Sequence, residues 1–219
     1  MAIRPVFVAK QDAIGIDIIN VNFEWFPGFS VAQKQRSIAS LHEAFLANNP
    51  STGLMEISSK SPCATGVALS AFNLSAPVFL DRNDSFTVET AFQGSKVFSD
   101  GGPFTDLVGH DSRSARKDER LRSSGSLIHF EFCGLKFPLL PRTYFYDWLY
   151  INVLLENAHL VAELEAFSAF TDIEFNPKRS LNCQAAALAL FSSLRANGVD
   201  MEQLRDPSTF KQLAYGTIN

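Results

Sequence analysis

The sequence predicts a single α+β domain, mostly helical in mass, with a small antiparallel sheet. Three observations carry this expectation. Residues 143–166 and 180–197 are long segments with apolar residues at helical spacing. Residues 126–140 alternate apolar and polar side chains around a turn at Gly134, the pattern of a strand pair. No Gly/Ser-rich or Pro-rich linker divides the 219 residues, a length sufficient for one large domain.

The elements follow in order. Residues 14–23 are rich in Ile and alternate over several positions, so a strand is expected. Pro27-Gly28 marks a turn, and Ser30 is a helix N-cap. The helix then runs over 31–48, with Ile38, Leu41, Ala44 and Phe45 on one stripe, until Asn48-Asn49-Pro50 stops it. Residues 54–58 suit a short strand. These segments form an N-terminal extension, residues 1–60, packed on a main domain of residues 61–219.

In the main domain a helix is expected over 87–98, broken by Ser99-Asp100-Gly101-Gly102-Pro103. A charged helix over 113–122 precedes the hairpin. The helix over 143–166 carries Trp148, Ile151, Leu155 and Leu164. A polar loop, 172–178, leads to the helix over 180–197, which Gly198 ends. Asp206-Pro207 separates a final short helix.

Composition narrows the function. Hydrophobic residues make up 46% and charged residues 19%, which fits a folded globular protein rather than a disordered one. The 20 Phe residues point to an aromatic core. A net charge of −4 argues against wholesale phosphate-backbone binding, so any nucleic-acid contact must use a local basic patch. Cys63, Cys133 and Cys183 are far apart and odd in number, which argues against both a disulfide framework and a zinc cluster. No histidine pair has metal-ligand spacing, and there is neither a P-loop nor a dinucleotide fingerprint, so no metal and no cofactor are expected. No apolar run reaches membrane-spanning length and no secretory leader is visible. The expected location is the cytoplasm, with no membrane partner.

The most informative stretch is 87–98. On a helix, Glu89, Gln93 and Lys96 stand at i, i+4 and i+7 and share a stripe, while Val88, Ala91, Phe92 and Val97 anchor it. A carboxylate, an amide and an amine in line can move a proton, orient a sugar hydroxyl and offer a nucleophile. The same spacing also describes a solvated Glu–Lys face.

This stretch resembles the signature helix of the NADAR (YbiA-like) family, a Thr/Ser-x-Glu-His-x-x-Gln-x-x-Lys-Phe pattern. Thr87, Glu89, Gln93 and Lys96 match it, Thr90 replaces the usual His, and Val97 intervenes before Phe98. Leu69-Ser70-Ala71-Phe72 resembles the family's Leu-Ser-Asn-Phe segment, with Ala71 in place of Asn. Residues 148–164 are similar to the family's long helix, and 170–174 to its Asp-bearing turn. Asn182 takes the place of the Asn that opens the last helix. The resemblance covers roughly residues 66–198. It is nearest to the antitoxins associated with guanine-targeting DarT toxins.

The resemblance implies a glycohydrolase that removes ADP-ribose from guanine bases in nucleic acid, with a DarT-type toxin as possible partner. Other members of the family resemble N-glycosidases of riboflavin-pathway intermediates, and a non-catalytic binder of ADP-ribose or toxin is the third reading. The departures at Thr90 and Ala71 favour that last one. Under the enzyme reading Glu89 and Lys96 are catalytic, as cation stabiliser and as amine nucleophile. Ser70, Phe72, Gln93, Asp172 and Asn182 are expected at the substrate, with Asp172 on a ribose hydroxyl. Arg113, Arg116, Lys117, Arg120 and Arg122 form the dense basic run, and Arg116 and Lys117 are the preferred phosphate contacts. Trp148, with Tyr144 and Tyr146 nearby, is the expected base-stacking residue.

Overall fold

The computed structural model describes residues 1–76, 85–178 and 180–216. Strands β1 (Ala2–Ala9) and β2 (Ile16–Phe23) pair antiparallel along their whole length, with Ala2 opposite Phe23 and Ala9 opposite Ile16. Helix α1 (Val31–Leu46) follows, its first turn capped by the Ser30 hydroxyl, which accepts from the Gln33 amide at 3.3 Å. Ile38, Leu41 and Phe45 are the apolar face of α1, and they pack against Val6, Val21 and Phe23 of the sheet in a small core of their own.

The chain continues through β3 (Leu54–Glu56), α2 (Ala64–Ala68), β4 (Ser75–Ala76), β5 (Phe86–Thr87), α3 (Val88–Gly94) and β6 (Lys96–Phe98). A 3-10 turn, Thr105–Gly109, precedes α4 (Ser112–Lys117) and α5 (Arg120–Ser123). Next come β7 (Leu127–Phe132), β8 (Leu135–Phe137), α6 (Tyr144–Leu155), α7 (Ala158–Glu163), β9 (Ala169–Thr171) and α8 (Gln184–Ala196). A second 3-10 turn, Met201–Arg205, leads to α9 (Pro207–Tyr215), which has Asp206 as N-cap and Pro207 in its first turn.

The fold is α+β, and the expected antiparallel sheet is β6-β7-β8. Cys133 and Gly134 join β7 to β8, both at positive φ, the conformation that a two-residue hairpin loop of matching twist requires. Beside this sheet stands a mixed one in the order β2-β1-β9-β3, in which β9 runs antiparallel to β1 and parallel to β3. Phe7 and Val8 of β1 and residues 54–56 of β3 are therefore paired with a strand far later in the chain. The larger core lies around α6. Every residue of α6 from Tyr144 to Leu154 is buried, and Phe130, Phe137 and Phe145 pack with ring centroids 4.8 Å apart in two of their pairs. Much of the phenylalanine content is spent here.

Several expected helices are shorter than their patterns suggested; the one over 180–197 begins only at Gln184, beyond Asn182, and the one over 31–48 ends at Leu46. The helix over 87–98 stops at Gly94, and Val97 and Phe98, with β propensity, pair with β7. The helix over 143–166 breaks at Asn157, whose Nδ2 bonds to Val153 O and, across the fold, to Ser75 O at 2.9 Å. The charged segment over 113–122 is two turns divided at Asp118. The Asp118 backbone is extended there and its carboxylate accepts from the Arg120 amide.

Candidate active site

A cleft of about 840 Å³ opens between α3, α4, the turn before β4, the loop after β9 and the N-terminal strands. Helix α3 is its floor. The Thr87 hydroxyl accepts from the Thr90 amide at 3.2 Å, and the Thr90 hydroxyl accepts from the Thr87 amide at 3.1 Å. This reciprocal cap anchors the first turn. Thr90 is 0% exposed, so the residue standing where the resemblance puts His is a cap beneath the cleft and contributes no group to it.

The turn at 69–72 is pinned from three sides. Tyr150 Oη donates to Leu69 O at 2.7 Å, the Ala71 amide donates to Gln184 Oε1 at 2.7 Å, and the Glu89 amide donates to Ala71 O at 2.9 Å. Gln184 also holds Ile57 O, at 2.6 Å. Upstream, α2 approaches β3 so closely that a Cβ on Gly66 would stand 2.1 Å from Glu56 O, which only glycine tolerates. The turn therefore meets α3 in a fixed register, with Ser70 and Phe72 on the wall of the cleft.

Glu89 is 7% exposed and faces the cleft. Gln93 Nε2 donates to Glu89 Oε1 at 2.9 Å, and Lys96 Nζ donates to Gln93 Oε1 at 2.6 Å. Lys96 lies on β6 rather than on the helix, yet its side chain folds back so that Nζ sits 4.9 Å from the centroid of the Phe92 ring. Arg116 reaches over from α4, its Nε 3.9 Å from Glu89 Oε1 and its guanidinium over the Phe72 ring. Burial pushes the Glu89 carboxyl up, against the pull of Gln93, Arg116 and Lys96. Burial likewise lowers the Lys96 amine to about 8, although Glu89 works the other way. Part of the amine is thus neutral near physiological pH, and an acid, an amide and an amine form one hydrogen-bonded row.

Across the cleft is the loop after β9. Asp172 Oδ1 accepts from the Glu174 and Phe175 amides, at 3.0 and 3.1 Å, which fixes the turn. Beneath it Glu56, 2% exposed, accepts from Thr171 Oγ1 at 2.5 Å and from the Ile173 amide at 2.8 Å. Burial raises both carboxyls, with the Glu56 charge adding to the rise at Asp172 and the Glu174 charge to that at Glu56. Asn182 also lines the cleft, and its Oδ1 is buried without a hydrogen-bond partner among the described residues.

The structure thus gathers Ser70, Phe72, Glu89, Gln93, Arg116, Asp172 and Asn182 around one cleft, with Lys96 one hydrogen bond behind its surface. Two expected contacts lie elsewhere. Lys117 is exposed and off the cleft wall, where Arg113 accompanies Arg116 instead. Trp148, 1% exposed, points into the core, 4.8 Å from the Phe137 ring, and its Nε1 donates to Arg205 O at 3.2 Å. The aromatic that does face the cleft from α6 is Tyr146, packed edge-on against Phe92 at 5.2 Å. Arg120, another member of the basic run, is held by Asp106 and Asp118. Arg4, Trp25 and Lys34 also line the cleft, though nothing local in the sequence marked them.

Fold and cleft together define an α+β protein organised around a buried carboxylate linked through an amide to a buried amine. The chain belongs to the family of DarT1-associated NADAR antitoxins, whose family model matches residues 2–218. The likeness read from residues 66–198 therefore extends over the N-terminal strands as well. No curated protein matches the chain. Among the described residues, no helix is long and apolar enough to cross a membrane, and no three His, Cys, Asp or Glu side chains are grouped to hold a metal ion.

Proposed function

We propose that this protein is a glycohydrolase that removes ADP-ribose from ADP-ribosylated guanine in nucleic acid and so counteracts a DarT-type ADP-ribosyltransferase. Membership of the antitoxin family supports the biological role. The row Glu89–Gln93–Lys96 carries the chemical reading.

Breaking the bond between guanine nitrogen and the ribose C1 sends the electron pair out with the base and leaves a cation-like sugar. A carboxylate beside C1 stabilises that charge. Glu89 has this role, and Gln93, Arg116 and Lys96 favour its ionised form against burial. Neutral Lys96 then forms the bond from Nζ to C1, its proton passing to the departing base or to Glu89. Ring opening makes the adduct an imine, and water hydrolyses it to free ADP-ribose and amine. Gln93 aims both groups. Asp172 and Asn182 hold ribose hydroxyls, and Phe72 and Tyr146 line the ring faces.

Glu89→Gln tests this reading, since it keeps the shape and the Gln93 contact but removes the charge. Release of ADP-ribose from a modified guanine oligonucleotide should fall at least a hundredfold, about 3 kcal/mol of transition-state stabilisation, with folding intact. Turnover within threefold of the parent chain would remove Glu89 from the reaction.

A further inference from the structure

Trp25 lines the same cleft as Glu89 and carries two cations on its ring. Lys34 Nζ is 4.7 Å from the ring centroid and the Arg4 guanidinium 5.3 Å. Phe23, itself 2% exposed, braces the indole edge-on at 6.2 Å. The three residues come from β1, from just beyond β2 and from the first turns of α1. They converge because α1 packs back across the β1–β2 pair. An aromatic face holds cations in place at little cost in freedom.

These cations are incompletely satisfied. Arg4 Nη1 donates to Ile3 O at 3.0 Å, but Arg4 Nε is buried and has no hydrogen-bond partner among the described residues. A buried donor in that state is destabilising unless an acceptor arrives. Lys34 is paired at 3.0 Å with Glu174, a carboxylate 45% exposed and so open to exchange for another anion. Burial next to Glu56 raises the neighbouring Asp172 carboxyl, which disfavours a negative charge beside the two cations. This cluster is distinct from Arg116, the cation beside Glu89.

We propose that Arg4 and Lys34, held on Trp25, form a second phosphate-binding subsite of the cleft. It engages either the pyrophosphate of the ADP-ribosyl group or a phosphodiester of the strand that carries it. The inference rests on the reading of the cleft as a site for ADP-ribosylated nucleic acid, and it explains why the N-terminal strands share that cleft. Guanidinium and ammonium groups are the usual partners of phosphate oxygens, and an exposed acid such as Glu174 is readily displaced.

The test measures binding alone, with the full chain and two probes: ADP-ribose, and an unmodified single-stranded guanine-containing oligonucleotide. The double variant Arg4→Gln, Lys34→Gln should bind at least one probe tenfold or more weakly at low salt, with the difference shrinking at high salt. A loss for ADP-ribose assigns the subsite to the pyrophosphate, and a loss for the oligonucleotide assigns it to the strand. Lys34→Gln alone should give a threefold or larger loss for the same probe, and it replaces the double variant if that chain does not fold. Binding of both probes within twofold of the parent chain by a folded variant overturns the proposal. So does a loss equal at both salt concentrations, or failure of the parent chain to bind either probe. Because neither arm reads turnover, an active Glu89→Gln protein would refute the catalytic assignment and leave this test intact.

Discussion

Lys96 meets Glu89 only through Gln93: the amine donates to the amide oxygen at 2.6 Å, and the amide nitrogen donates to the carboxylate at 2.9 Å. A direct ion pair would hold the amine protonated. An intervening neutral amide weakens that hold, and burial then lowers the amine to about 8. If the amine must be neutral to react, activity should rise with pH through a midpoint near that value. Gln93→Glu places a carboxylate against Lys96 and should move the midpoint upward by about one pH unit or more. A pH–kcat profile superimposable on that of the parent chain would show that Lys96 ionisation does not limit the reaction.

Lys96→Arg keeps the positive charge but cannot form an imine. It should bind ADP-ribosylated oligonucleotide much as the parent does and lose turnover at least a hundredfold, whereas Lys96→Ala should lose binding as well. Borohydride added during turnover should leave a reduced sugar adduct on the Lys96 peptide, detected by mass spectrometry. Full activity of Lys96→Arg with no adduct would make Lys96 an electrostatic contact and direct water attack assisted by Glu89 the mechanism.

The basic run divides residue by residue. Arg116 lies 3.9 Å from Glu89 and lines the cleft, while Lys117 is exposed and off its wall. Arg116→Glu should lower kcat/KM tenfold or more, with a loss that shrinks as salt is added. Lys117→Glu should stay within twofold. Equal losses from the two variants would mean that a diffuse field, and not the α4 geometry, attracts the substrate.

These residues also show what the sequence could and could not reveal. Glu89, Gln93 and Lys96 were legible as a group, although the helix ends before Lys96 and the lysine joins them from a strand. Three residues of strand pairing outweigh helical spacing when Gly94 has already weakened the helix. Trp148 and Tyr146 stand two residues apart on α6, roughly 200° around the axis. Only one of them can face the cleft. A helix buried on every side has no polar face to say which, so periodicity was silent. Strand β1 carries Pro5, a residue that argues against a strand within a sheet, and its pairing with β9 is long-range. Arg4, Trp25 and Lys34 are neighbours only because β1, β2 and α1 pack together, and no local pattern encodes that.

A last prediction concerns stability away from the cleft. Asp147, 6% exposed in α6, accepts from Tyr215 Oη at 2.6 Å, which ties α9 to the core. Burial raises its carboxyl from the ordinary 3.8 to about 6, against the hydrogen bonds that favour the ionised form. The folded chain therefore holds this proton more tightly than the unfolded one. Its contribution to stability is fully present below about pH 4, is lost as pH rises through about 6, and is constant above that. The cost of the ionised form is on the order of 3 kcal/mol. Asp147→Asn mimics the protonated side chain, keeps an oxygen for Tyr215 and cannot ionise. Relative to the parent chain its denaturation midpoint should be nearly unchanged at pH 4, higher at pH 6, and higher by slightly more at pH 8. An equal difference at all three values would mean that Asp147 titrates alike in the folded and unfolded chains.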